Sequence, residues 1–401
     1  MLAGVSACGG LLCAVKRSRP RDSIFVLICF TMLFTMSAIR YDVGYDYSFV
    51  YAPIYERILN DASGEFLAGH RWEPGFKLLL QGLMLVTENF QGIFVITSLL
   101  IILLVMAYFW LFSPNPFISV FLFVALSHYY CSMNFVRQTL AAAVAMFAFP
   151  LLKRVVEKRC VFSIAGYFAV VLLASSFHMS ALLLILFFFI NLIPVNKYVL
   201  VAYVVITAVI YFNTYRIIDF VTQYWYQYYG LGNIHMQATF ALPFTITVAV
   251  VFIILFMGSG MLKKLGRGNY LYVNYAFFTL FFILMGTRHS VLDRLSLNFA
   301  LLAPVGISIL VCELSKKLRE EKVESAAKRR AAVLAALLIT IFGGGLAAHH
   351  YALVMDHHGV VPYQIIFKQP FYQDYVEWLR ENRDGVWDLA EPYSEPEDIE
   401  I

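Results

Sequence analysis

The stretch NFVRQTLAAAVAMFAFPLLKR, residues 134–154, decides the fold. Between Arg137 and Lys153 it is almost wholly apolar. As a helix rising about 1.5 Å per residue, such a run crosses most of a bilayer core. Basic residues stand at both ends. Lys153 and Arg154 have a topological reason, because short cytoplasmic loops of membrane proteins are enriched in Lys and Arg. Arg137 stands at the opposite end and needs a separate reason.

The rest of the chain repeats this pattern. Of its 401 residues, 61% are hydrophobic and 14% are charged, against roughly half and a quarter in soluble domains. Apolar runs recur along the whole length, without the short alternating runs of barrel strands. In hydrocarbon every backbone polar group needs an internal partner, so continuous runs mean helices. The expected fold is all-α, a polytopic integral membrane helical bundle of about twelve spans. They lie near 2–15, 23–39, 90–112, 116–131, 137–152, 160–175, 177–193, 197–212, 239–258, 269–287, 294–312 and 331–350. Segment 74–87, PGFKLLLQGLMLVT, is apolar but short, which suits a re-entrant helix.

Charge supports the re-entrant reading. If 74–87 does not cross, 19 of the 30 basic residues and only 6 of the 26 acidic ones share one side. If it crosses, every later cluster changes side and the bias is lost. The net-acidic side then holds loops 40–73 and 213–238, the Arg137 and His178 junctions, and segment 288–294. Residues 1–355 form the membrane domain, with loops 40–73 and 213–238 as its active-site face. Residues 356–401 form an extracytoplasmic tail whose acidic, proline-bearing end, LAEPYSEPEDIEI, is expected to be disordered.

Several classes are excluded. There is no Walker loop, no GxGxxG and no nucleic-acid patch. The six cysteines form no CxxC pair and read as packing residues. No DxD pair exists, and His349/His350 and His357/His358 are adjacent pairs without helical ligand spacing. No metal and no cofactor are expected.

Charged groups near membrane depth are expensive and point to function. The acidic side collects them. Asp42 and Asp46 are four apart, and Glu73 precedes the Pro74-Gly75 turn. His178 sits at a hairpin between two apolar runs. RHSVLDRLSLNF supplies Arg288, His289, Asp293 and Arg294. Tyr47, Tyr51, Tyr224 and Trp225 offer aromatic faces that stack on sugar rings, and Gln138 adjoins Arg137. The bland alternatives stay open: an interfacial aromatic belt, a structural histidine, and Asp293 neutralised by Arg288 or Arg294.

The motif order resembles the EpsG family, within the Wzy-type bacterial polysaccharide polymerases. The residues that carry the resemblance are VGYDYSFVY (43–51), EPGFKLL (73–79), VRQTLAAAV (136–144), FHMSALL (177–183), DRLSLNF (293–299) and VPY (361–363). DRLSLNF departs from the family pattern, where an aromatic of the YF type is expected. The resemblance implies a glycosyltransferase with a helical bundle of the GT-C kind in the bacterial plasma membrane. It would work on the outer face, moving a growing glycan from undecaprenyl pyrophosphate onto a new lipid-linked repeat unit. Inverting transfer without a metal is implied, with a flippase and a chain-length regulator as partner proteins. Arg137, with Arg288 or Arg294, would hold the pyrophosphate. Asp46, Glu73 and His178 are candidates for the base. A ligase of finished glycan, a membrane acyltransferase and a lipid-linked oligosaccharide flippase are the rival classes. A flippase would typically show an internal repeat and cations along a mid-membrane cavity, whereas here the ionisable residues cluster at one face.

Overall fold

The computed structural model describes residues 1–13, 17–61, 63–224, 242–356 and 358–368. α1 (Leu2–Cys13) and α2 (Arg19–Ala38) open the chain. Ser18 caps α2 by accepting the Arg21 N–H, with Pro20 and Asp22 in its first turn. A π-helical turn (Tyr47–Tyr51) leads into α3 (Ala52–Asn60), α4 (Glu65–Gly69) and α5 (Pro74–Met84). Then come α6 (Gln91–Phe112), α7 (Pro116–Ala125), α8 (His128–Asn134), α9 (Val136–Ala145), α10 (Ala148–Lys158) and α11 (Val161–Ser175). A 3₁₀ turn (Met179–Leu182) runs into α12 (Leu183–Asn191). α13 (Lys197–Tyr224) and α14 (Leu242–Met257) flank the undescribed residues 225–241, and α15 (Ser259–Leu265) and α16 (Leu271–Gly286) follow. The last helices are α17 (Ser290–Arg294), α18 (Leu297–Ala300), α19 (Ala303–Glu320) and α20 (Glu324–Met355).

Six of these segments are long and apolar enough to cross a membrane, and nine if each of three bent pairs is one span. Segments Leu2–Leu12, Val161–Ser175 and Met179–Asn191, also expected as spans, are shorter apolar helices. The fold is therefore that of an all-α, multi-pass membrane protein. The bends have local causes. Between α7 and α8 the axis turns by 54°, where Ser127 adopts φ 64°. Residues 290–300 meet α19 at 43°, next to Pro304.

The two ends of the bundle differ chemically. At one end the basic clusters tie helices together. Lys153 Nζ donates to Asn269 Oδ1 at 2.6 Å, and Lys263 Nζ to the Val195 carbonyl at 2.7 Å. Arg330 pairs with Glu321 at 2.7 Å. The opposite end carries loop 40–73 and the candidate site.

Segment 74–87 starts and finishes at that opposite end. Glu73, just ahead of α5, bonds to Arg137. Tyr55 donates to the Thr87 carbonyl at 3.0 Å, and Gln91 Nε2 donates to the carbonyls of Ala38 and Arg40 at 2.7 and 2.9 Å. Thr87 and Gln91 thus meet loop 40–55, and Glu73 meets α9 at Arg137, whose backbone N–H bonds Tyr51 of that loop, so both ends of α5 lie at the same end of the bundle.

The start of the C-terminal segment has defined partners. Residues 358–368 pack against the bundle. Tyr41 N donates to Gln364 O at 3.1 Å, Ile366 N to Ile39 O at 3.1 Å, and Arg40 forms an isolated β-bridge with Ile365. Tyr363 hydroxyl bonds the Met36 carbonyl. Backbone pairing to an otherwise open loop orders this stretch, although its sequence reads as the start of a tail. The acidic end of the tail lies outside the described residues.

Candidate active site

The site is assembled from four separate motifs. Arg137, in the first turn of α9, donates from Nη1 to Glu73 Oε2 at 2.6 Å. Glu73 Oε1 accepts the Met179 N–H at 2.9 Å, so both carboxylate oxygens are engaged. The guanidinium lies over the rings of Trp72 and Phe76, 5.3 and 5.8 Å from their centroids. Its backbone N–H meets the Tyr51 hydroxyl at 3.3 Å. Arg137 Nε is buried with no protein partner among the described residues, leaving one edge of the fork for an anion.

The EPGF turn has a steric reason. Pro74 has no N–H to lose, and the N–H groups of Gly75 and Phe76 both donate to the Ser176 carbonyl, at 2.7 and 3.2 Å. A Cβ on Gly75 would stand 2.3 Å from Ser176 Oγ and 2.8 Å from its carbonyl oxygen. Only glycine lets the turn close on the FHMSALL hairpin, which puts Glu73 beside Arg137. Gly44 acts likewise in VGYDYS. Its φ is +94°, and a Cβ there would lie 2.5 Å from the Met133 carbonyl oxygen. That approach lets Asp46 N donate to Asn134 Oδ1 at 3.1 Å.

A cavity of about 340 Å³ opens beside this cluster. Asp46, Asn134, Phe135, Asp293, Arg294 and His358 line its polar part. Arg294 stacks on Phe135, 4.4 Å from the ring centroid, and its carbonyl accepts Gln138 Nε2 at 2.7 Å. Gln138 therefore positions the Arg294 backbone. Gly286 is required here too, since a Cβ would fall 2.5 Å from Asp293 Cβ.

The electrostatics separate the candidate bases. Burial raises the Asp46 carboxyl to about 6, opposed by the charges of Arg294 and Arg137. A carboxylate near 6 is ionised at neutral pH yet a better proton acceptor than an exposed one. Burial lowers His178 to about 4, assisted by Arg137. Its Nδ1 accepts the Ser180 N–H at 3.2 Å, so the proton of the neutral ring resides on Nε2. His178 therefore faces its surroundings as a hydrogen-bond donor.

Other expected site residues lie elsewhere. Tyr47 is fully buried, donates to Gln91 Oε1 at 2.8 Å and stacks on Phe94 at 4.1 Å. It belongs to the scaffold under the loop. Tyr51 is 2% exposed and holds the start of α9 by its hydroxyl. Neither offers a face to a sugar, because both rings fill an aromatic cluster with Trp72, Phe76 and Phe94. Arg288 packs on Tyr211 and Tyr215 of α13, 4.6 and 5.1 Å from the centroids. His289 is buried and precedes α17. Tyr224 is the last residue of α13, and Trp225 lies outside the described residues.

Three residues escaped the sequence reading. His358 packs its ring against Phe135, 5.7 Å away, on the same ring that carries Arg294. Asn134 orients the Asp46 backbone. Arg40 is fully buried and donates from Nη1 to Ser37 O, Ser37 Oγ and Ser98 Oγ, tying α2 to α6. The first two are brought in by a chain reversal and a helix break, neither of which has a periodic signature. Arg40 was visible as a charge beside an apolar run. No group of three His, Cys, Asp or Glu residues suited to a metal occurs among the described residues.

The fold is that of a multi-pass membrane protein, with this cluster gathered at one end of it. The chain belongs to the EpsG family, whose model matches residues 23–365. Family membership carries a glycosyltransferase-like polymerase role. No curated protein and no solved structure matches the chain.

Proposed function

We propose that this protein is a Wzy-type polysaccharide polymerase of GT-C-like architecture. It joins oligosaccharide repeat units carried on undecaprenyl pyrophosphate, on the outer face of the bacterial plasma membrane. The observation that supports this most is the meeting of Arg137, Glu73, Asp46, Arg294 and His178 at one end of the bundle, beside a cavity.

The chemistry follows from the groups present. A hydroxyl of the acceptor repeat unit attacks the anomeric carbon of the donor glycan, and Asp46 takes its proton. The bond between that carbon and the pyrophosphate oxygen breaks, and polyprenyl pyrophosphate leaves with the electron pair. Attack from the face opposite the leaving group inverts the anomeric centre. The free edge of Arg137, with Arg294, neutralises the charge that grows on the leaving oxygen. The His178 Nε2 proton adds a neutral donor. Glu73 holds Arg137 in place; with both oxygens engaged it is a weaker base candidate than Asp46.

The test is deletion of the gene in its native strain, with analysis of lipid-linked glycans. Single repeat units accumulating on the outer leaflet support the polymerase. Single units confined to the inner leaflet identify a flippase, and full-length chains retained on lipid identify a ligase.

A further inference from the structure

The cavity does not end at its charged mouth. Below Asp46 and Arg294 it continues as a mainly apolar shaft lined by Val248 and Val251 of α14, Ala276 and Thr279 of α16, Ala300 of α18 and Ala303 at the start of α19. From Gly286 at the mouth end of α16 to Ala276 is ten residues, so the shaft reaches roughly 15 Å along the bundle. Small side chains on two of its walls keep it open. α14 is the wall on the lipid side. Val248 is buried against the shaft, while Ile246 and Ile253 are half exposed on the outer face of the same helix. The shaft is thus one helix away from hydrocarbon, and it shares its upper end with the residues that would hold a pyrophosphate.

We infer that this shaft is the binding slot for the isoprene units next to the pyrophosphate of the lipid carrier, with Ala276 and Ala300 setting its bore. An amphipathic ligand fits this arrangement. A charged head meets Arg294 at the mouth, and a branched apolar chain continues directly below it. The chain supplies methyl branches that match a wall of alanines and valines. The slot fixes the depth of the headgroup, and so the height of the scissile bond relative to Asp46. The identity of the headgroup rests on the polymerase reading; the slot itself does not.

The experiment uses the full chain in lipid nanodiscs. A geranylgeranyl pyrophosphate with a diazirine in its second isoprene unit is photo-crosslinked, and labelled peptides are mapped by mass spectrometry. Labelling within 242–257, 271–286 and 297–303 is expected, and labelling confined to other segments overturns the slot. In parallel, Ala276→Leu and Ala300→Leu narrow the bore. A loss of one or two carbon contacts in an apolar pocket is worth about tenfold or more. The KM for lipid-linked donor should rise about tenfold. An unchanged KM in variants that retain the parent melting temperature overturns the slot and leaves the polymerase reading standing. If a variant does not fold, the crosslinking on the unaltered protein decides. Labelling of the slot in a protein that never extends glycan supports the slot and removes the polymerase reading.

Discussion

Replacing Asp46 by asparagine should make the protein more stable and inactive at once. Burial lifts this carboxyl from 3.8 to about 6, even with Arg294 and Arg137 pulling the other way. The ionised form is therefore disfavoured in the folded protein. A rise of that size corresponds to about 3 kcal/mol. Below about pH 3 the carboxyl is protonated in folded and unfolded chains alike, and Asp46→Asn should match the parent. As pH rises from about 4 through 6, the unfolded chain ionises first and the parent loses stability. Above pH 6.5 the difference should be fully developed, with Asp46→Asn more stable by up to about 3 kcal/mol. Asparagine keeps the backbone N–H that donates to Asn134, so the loop conformation should survive. The rate of glycan extension should fall by about a hundredfold or more, the usual contribution of a positioned base. The parent rate should itself rise with pH through about 6. Thermal unfolding in nanodiscs from about pH 3 to 8, beside gel analysis of products from lipid-linked repeats, measures both. If Asp46→Asn is no more stable at pH 7.5, the carboxyl is not destabilised by burial. If it extends glycan at the parent rate, Asp46 is not the base.

Arg137→Lys keeps the charge and the reach to Glu73 but loses the second edge of the fork. It should lower the extension rate by about tenfold or more, and full rate with full chain length would remove Arg137 from the anion site. Tyr47→Phe deletes the 2.8 Å bond to Gln91. It should cost about 1 kcal/mol of stability with little change in rate; a large rate loss at unchanged melting temperature would place Tyr47 at the substrate instead. Gly75→Ala forces a Cβ to 2.3 Å from Ser176 Oγ and 2.8 Å from the Ser176 carbonyl oxygen. It should lower both melting temperature and rate by displacing Glu73 from Arg137, and a fully active Gly75→Ala protein would show that the turn need not close on the hairpin.

The sequence by itself determined the class of fold. Runs such as 91–112 and 136–158 are apolar over lengths that only a membrane demands, and length and apolarity are local properties. It also marked α5 as short for a span, a local property of the same kind. The odd charge of Arg137, opposite Lys153 and Arg154, was legible for the same reason. The tertiary structure decided which groups share a site. Arg137 and Glu73 are 64 residues apart in the chain and 2.6 Å apart in space. Asp46 and Asn134 are 88 apart, and the link between them depends on the left-handed backbone at Gly44. It sorted the aromatics as well, sending Tyr47 and Tyr51 into the scaffold, because exposure depends on neighbours from distant segments. It separated Arg288, packed on α13, from Arg294, packed on Phe135, although six residues part them in the chain. And it brought His358 from beyond the last helix to the cavity wall. Hydrophobic pattern is read residue by residue along the chain. A site is a set of distances between segments, and those are fixed only when the helices have packed.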